Sequence, residues 1–157
     1  MSDLMQIFLT AALTLLGGTL LFIVGEFTKV LVVIPLQKYK EHVQTTLDRV
    51  DFYANRITNF FPEKPSDEEW DLIGQISTDL RSAATQLRSK YVVISMRGLL
   101  IKMKLIPSDD RIKEAYGSLI FLSNSIPRER RDTNREIDPI MSNHEHMERL
   151  KTALLFP

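Results

Sequence analysis

The chain of 157 residues carries 20 basic and 20 acidic side chains and no cysteine. Balanced charge gives no support to nucleic-acid binding, which draws on a basic surplus. The missing thiols exclude disulfide frameworks, thiolate metal sites and cysteine nucleophiles.

The charges are unevenly spread. Residues 1–36 hold only Asp3, Glu26 and Lys29, so the remainder carries 19 basic and 18 acidic groups. Leu4 to Gly25 form a run of 22 uncharged residues. As a helix this run is roughly 33 Å long, enough for a hydrocarbon core of about 30 Å. A cleaved secretory signal is the alternative. It fits less well, because Met1-Ser2-Asp3 has no positive charge and Gly25-Glu26-Phe27 is a poor cleavage site. A retained membrane anchor is the reading preferred. Lys29, Lys38 and Lys40 follow the run and none precedes it, which predicts an outside N-terminus and a cytoplasmic C-terminal domain. Within the run Ala11, Gly18 and Gly25 recur every seven residues with Thr14 on the same side. Such a face lets two copies of the helix approach closely, although small residues are common in membrane spans anyway.

Glu26 and Lys29 are spaced to pair on one helical face. Pro35 then predicts a kink or short break before the next helix. From Leu36 to Phe61 the pattern is helical: Leu36, Val43, Val50 and Ile57 recur by seven, with Tyr39, Tyr53 and Phe60 between them. Pro62 and Pro65 end it. Ser66 with Glu69 is a capping box that starts a second helix, whose stripe runs Ile73, Ile76, Leu80, Ala83, Leu87, Tyr91 and Ile94. Val92-Val93-Ile94 favours strand and Gly98 weakens helix. With no partner strand visible, a helix broken near Gly98 and ended by Pro107 is expected. Ser108 caps a third helix with the stripe Ile112, Ala115, Tyr116, Leu119, Leu122 and Ile126. Residues 128–140 read as a charged, flexible linker. Met147, Leu150 and Leu154 suit a short terminal helix, docked or loose.

The expected fold is therefore all-α: an anchor and juxtamembrane segment at 1–36, a three-helix bundle at 37–126, and a mostly flexible tail at 127–157. Tyr53-Ala54-Asn55, Leu80-Arg81-Ser82-Ala83-Ala84, Ile106-Pro107-Ser108 and Leu119-Ile120-Phe121-Leu122-Ser123-Asn124-Ser125 together resemble a family of short bacterial proteins. Its members have one N-terminal membrane helix, a proline soon after it, and a small cytoplasmic helical domain. The resemblance covers roughly residues 26–126. It implies a protein of the bacterial inner membrane and supplies no activity, cofactor or catalytic residue.

Six basic residues and no acid lie between Arg81 and Lys104. Lys90, Arg97 and Lys104 share one face if that segment is a continuous helix, with Lys102 nearby. Interleaved with apolar residues, they suggest contact with anionic lipid; the plainer reading is a core helix with a basic solvated side. His144-Glu145-His146 lacks the spacing that brings two imidazoles together, so no metal site is expected. Tyr53, Asn55, Asn59 and Asn124 are either satisfied core polar groups or a pocket lining. The function expected is a non-enzymatic, self-associating interaction module that meets the bilayer or a cytoplasmic protein. The alternative is an accessory subunit or small membrane enzyme with a site at the bundle–bilayer junction. A pore would need a polar lining that the span lacks.

Overall fold

The computed structural model describes residues 3–59, 65–126 and 139–155, and among them every regular element is helical. Helix α1 (Asp3–Thr28) is apolar, and no side chain in it is buried. Thr10, Thr14, Thr19 and Thr28 each donate their hydroxyl to the carbonyl four residues back, leaving α1 without an unpaired side-chain hydroxyl proton. By length and composition this helix can cross a membrane.

Pro35 does not break the chain. A π-helical turn (Lys29–Val33) joins α1 directly to α2 (Ile34–Thr58), with Pro35 in the first turn of α2. Proline lacks an N–H and its ring clashes with the carbonyl four residues earlier. The wider turn absorbs this: Ile34 N–H bonds Lys29 O, five residues back. Helix therefore runs unbroken from Asp3 to Thr58. The Glu26–Lys29 pair is present on its exposed surface at 3.6 Å. Packing begins at Val32, half-buried against the core; before it nearly every side chain of the helix is exposed.

Helix α3 (Asp67–Val92) starts with the expected capping box: Glu69 N–H donates to Ser66 Oγ and Ser66 N–H to the Glu69 carboxylate. It runs antiparallel to α2, since Tyr39 meets Tyr91 and Tyr53 meets Asp79. Helix α4 (Arg97–Lys102) is a single short turn within the connection to α5 (Asp109–Ser125). Ser108 caps α5 by accepting from Arg111 N–H. The apolar stripes read in α2, α3 and α5 form one core, with Tyr39, Ile76, Leu80, Leu87, Leu119 and Leu122 fully buried.

Two expectations need correction. The helical domain is not completed by three helices, because α6 (Pro139–Leu154) lies against both α5 and α2 and buries Met147, Leu150, Ala153 and Leu154 in the same core. Asn143 Nδ2 donates to Ile57 O at 2.8 Å and Lys151 pairs with Asp51 at 2.9 Å, so α6 is antiparallel to α2. Of residues 128–140, expected to form a flexible linker, 128–138 lie outside the described residues, and Pro139 and Ile140 belong to α6. The break expected at Gly98 falls earlier, at Val93–Met96, and Gly98 sits inside α4.

Candidate functional site

The end of the domain next to α1 is built around two tyrosines. Tyr39 lies one turn beyond Pro35 and Tyr91 lies in the last turn of α3; their rings are 5.6 Å apart and tilted by 59°. Tyr91 then fixes the connection beyond it, donating its hydroxyl to Pro107 O at 2.8 Å. Burial raises the pKa of both phenols, and Asp109 adds to the rise at Tyr91.

Residues 92–106 fold across this end. Ile94, Leu100 and Ile106 are buried and tie the segment to the core. Between them Met96 and Lys104 adopt left-handed backbone, with φ of 56° and 57°. These two turns let a short helix fit between α3 and α5, and they put the other apolar side chains outside. Val92, Val93, Met96, Leu99, Met103 and Leu105 are 38–63% exposed. Outside α1 and the π turn, the other large apolar side chains as exposed are only Phe52, Trp70, Phe121 and Leu155 among the described residues. The clustering in one connection is therefore a feature of this end of the molecule. It is not general surface scatter.

The basic residues expected to share one face do not, because the helix is interrupted between them. Arg97 is a strut: its guanidinium pairs with Asp109 at 3.2 Å and sits 5.3 Å from the Tyr91 ring centroid. Lys90 is half-buried on α3, while Lys102 and Lys104 are exposed beside Met103. No acid occurs from Ser89 to Ser108.

On α1, Ala11, Thr14, Gly18 and Gly25 stay exposed, and open space surrounds Gly18 and Gly25. The Thr14 hydroxyl is spent on Thr10 O. Shallow grooves run along this side of the helix past Ala11, Thr14 and Gly18.

The polar residues singled out in the sequence are distributed among separate contacts. Tyr53 donates to Asp79 at 2.9 Å, and burial followed by that bond raises its pKa. Asn55 pairs with Asn59 one turn on. Arg81 reaches Asn124 Oδ1 at 2.7 Å, and Ser77 donates to Ser123 O at 2.8 Å, so residues 77–81 and 123–124 meet as a clasp between α3 and α5. Tyr53, Asn55 and Asn124 thus have three different partners. Among the described residues no three His, Asp or Glu side chains gather as metal ligands.

Two histidines missed as structural parts tie helices together. His42 is buried, and its Nε2 donates to Ala83 O at 3.1 Å; burial lowers its pKa, and Lys90 and Arg49 lower it further. His146 stacks on Phe121 at 3.8 Å, and burial likewise lowers its pKa. His146 lies four residues before Leu150 and seven before Ala153, both buried, so the helical spacing of α6 is the signal that places it on the core-facing side. No family model, curated protein or solved structure matches the chain, so its surfaces are read from their own chemistry.

Proposed function

We propose that this protein is a membrane-anchored, non-enzymatic interaction module of the bacterial inner membrane. Helix α1 spans the bilayer with its N-terminus outside, and the helical domain, α6 included, stands on the cytoplasmic surface. The observation that carries this reading is the change in packing along one unbroken helix. Large apolar side chains from Leu4 to Leu31 are exposed, whereas from Val32 onward one stripe of the helix, beginning with Val32, Leu36, Tyr39 and Val43, enters a core. A continuous apolar surface of that size is costly in water and costless in lipid. Lys29, Lys38 and Lys40 just beyond it support the orientation.

Copies associate through the face of α1 that bears Ala11, Thr14, Gly18 and Gly25, where small side chains bring backbones close. The domain then offers its surface to a cytoplasmic protein. Interaction is favoured over catalysis by the separate partners of Tyr53, Asn55 and Asn124.

The test is extraction of native membranes with alkaline carbonate, paired with protease added outside intact spheroplasts. Full-length protein is expected to stay in the pellet with its helical domain protected. Release into the supernatant removes the anchor, and digestion of the domain reverses the orientation. Cysteine placed singly at Gly18 in this cysteine-free chain is expected to cross-link copies in the membrane. The same residue at Leu16, on the opposite side of the helix, should not.

A further inference from the structure

We infer that the connection 92–106 is a second membrane contact, an apolar wedge flanked by lysines that rests in the anionic headgroup layer where α1 leaves the bilayer. This inference deepens the proposed reading and rests on α1 being the anchor.

Three observations carry it. First is position. The Tyr39–Tyr91 contact holds the connection at the level of the first turns of α2, and Val32 and Leu36 are half-buried against the same core. Val32 is seven residues past Gly25, hence about 10 Å along the helix from the end of the uncharged run. Val30, Leu31 and Val33 continue the exposed apolar surface over that interval, and Tyr39 follows six residues, about 9 Å, past Val33, so the connection lies just outside the last exposed apolar side chains of the helix. Second is the split of the segment into two sets. Ile94, Leu100 and Ile106 hold it to the protein, while Val93, Met96, Leu99 and Met103 point away from it. Left-handed turns at Met96 and Lys104 fix that split in the backbone, so the outward set does not collapse onto the core. Third is charge. Lys102 and Lys104 flank Met103 on the exposed side, and the segment has no acid of its own. A basic rim around an apolar tip complements anionic phospholipid, with the long lysine stems reaching headgroups while apolar side chains sit deeper. A second copy could cover an apolar patch too, but it gives no reason for the lysines or for the placement at the exit of α1.

The experiment uses full-length protein in vesicles and a single tryptophan reporter. Trp70, the one native tryptophan, stands in the first turn of α3 at the opposite end of the domain, and is replaced by Trp70→Phe. Into that background go Met103→Trp, Leu99→Trp as an independent second position, and Phe52→Trp as the exposed control on α2. In vesicles of phosphatidylcholine with phosphatidylglycerol, brominated on the upper acyl chain, the reporters at 103 and 99 are expected to shift to the blue and lose emission. The reporter at 52 keeps its emission. In brominated phosphatidylcholine alone, or with Lys102→Gln and Lys104→Gln together, the loss at 103 is expected to shrink.

Carbonate-resistant protein whose reporters at both 103 and 99 stay unquenched overturns the wedge and leaves the anchor standing. Protein that does not remain with the vesicles overturns the anchor itself. A reporter at 103 that is blue-shifted but unquenched, with Met103→Cys cross-linking between copies, makes the patch a contact between copies and also overturns the wedge. Quenching that ignores both headgroup charge and the two lysines overturns the preference for anionic lipid.

Discussion

Tyr91 joins two parts of the molecule that the chain separates: its ring lies 5.6 Å from that of Tyr39, and its hydroxyl bonds Pro107 O at 2.8 Å. The first contact ties α3 to the start of α2, and the second ties the exit of α3 to the entry of α5. The two functions separate by substitution. Tyr91→Phe keeps the ring and is expected to cost about 1 kcal/mol, with faster amide exchange confined to 103–106. Tyr91→Ala is expected to cost about 3–5 kcal/mol and to loosen the whole end of the domain. Denaturant unfolding with residue-resolved hydrogen exchange distinguishes them.

Leu150 and Leu154 are fully buried in α6, so this helix contributes to the core as much as its neighbours do. Leu150→Ala should destabilise the domain by about 2–5 kcal/mol. The unfolding transition should remain single, because α6 belongs to the same core. A separate early transition, or no change in the midpoint, would show that α6 is a dispensable attachment.

Thr46 is completely buried, and its Oγ1 has no hydrogen-bond partner. Thr46→Val removes that hydroxyl at nearly constant volume. It is expected to raise stability by about 1 kcal/mol, the lower end of the penalty for an unsatisfied polar group. A fall in melting temperature would contradict this.

Stability should decline in mildly acidic solution. His42 and His146 have folded pKa values lowered from 6.5, first of all by burial. Above pH 6.5 both folded and unfolded forms are neutral at these sites, and the full contribution is present. As pH falls below that value the unfolded chain takes up protons first, and stability drops until the folded histidines also protonate. His42→Gln should flatten part of this decline. A melting temperature that does not change across that range in the parent chain would contradict the assignment.

The α3–α5 clasp is mostly exposed, so its expected contribution is modest. Arg81→Ala and Asn124→Ala should each cost about 1 kcal/mol or less, with a coupling of roughly 0.5 kcal/mol in a double-mutant cycle. Additive costs would mean that the two residues stabilise the fold independently.

Elements with local signals were legible in the sequence. The capping box at Ser66 and Glu69 and the cap at Ser108 each involve residues within three positions, so the sequence holds all of the required chemistry. The stripes of α2, α3 and α5 were likewise readable, because a core-facing helix repeats its apolar positions. What depended on distant partners was not. The spacing of Met147, Leu150 and Leu154 says that a face exists, not that α5 and α2 cover it. Pro35 announced a disturbance, but a single wider turn leaves the surrounding periodicity intact. In the connection, left-handed backbone fell on Met96 and Lys104, while the nearby glycine, Gly98, is helical. The excess of apolar residues there was visible from the start; their division into buried and exposed sets follows from those two backbone turns, which the residue types do not announce.

The π turn has a geometric corollary. The wider turn at Lys29–Val33 takes up its extra residue within a single turn, so the heading of the whole domain relative to the side of α1 that carries Ala11 and Gly18 is that of one continuous helix. With no non-helical joint from Asp3 to Thr58, a twist or lean of the N-terminal half is passed on undamped to everything that α2 holds. Removing one residue from the turn would close it to an ordinary α turn and leave both halves intact with their relative heading little changed.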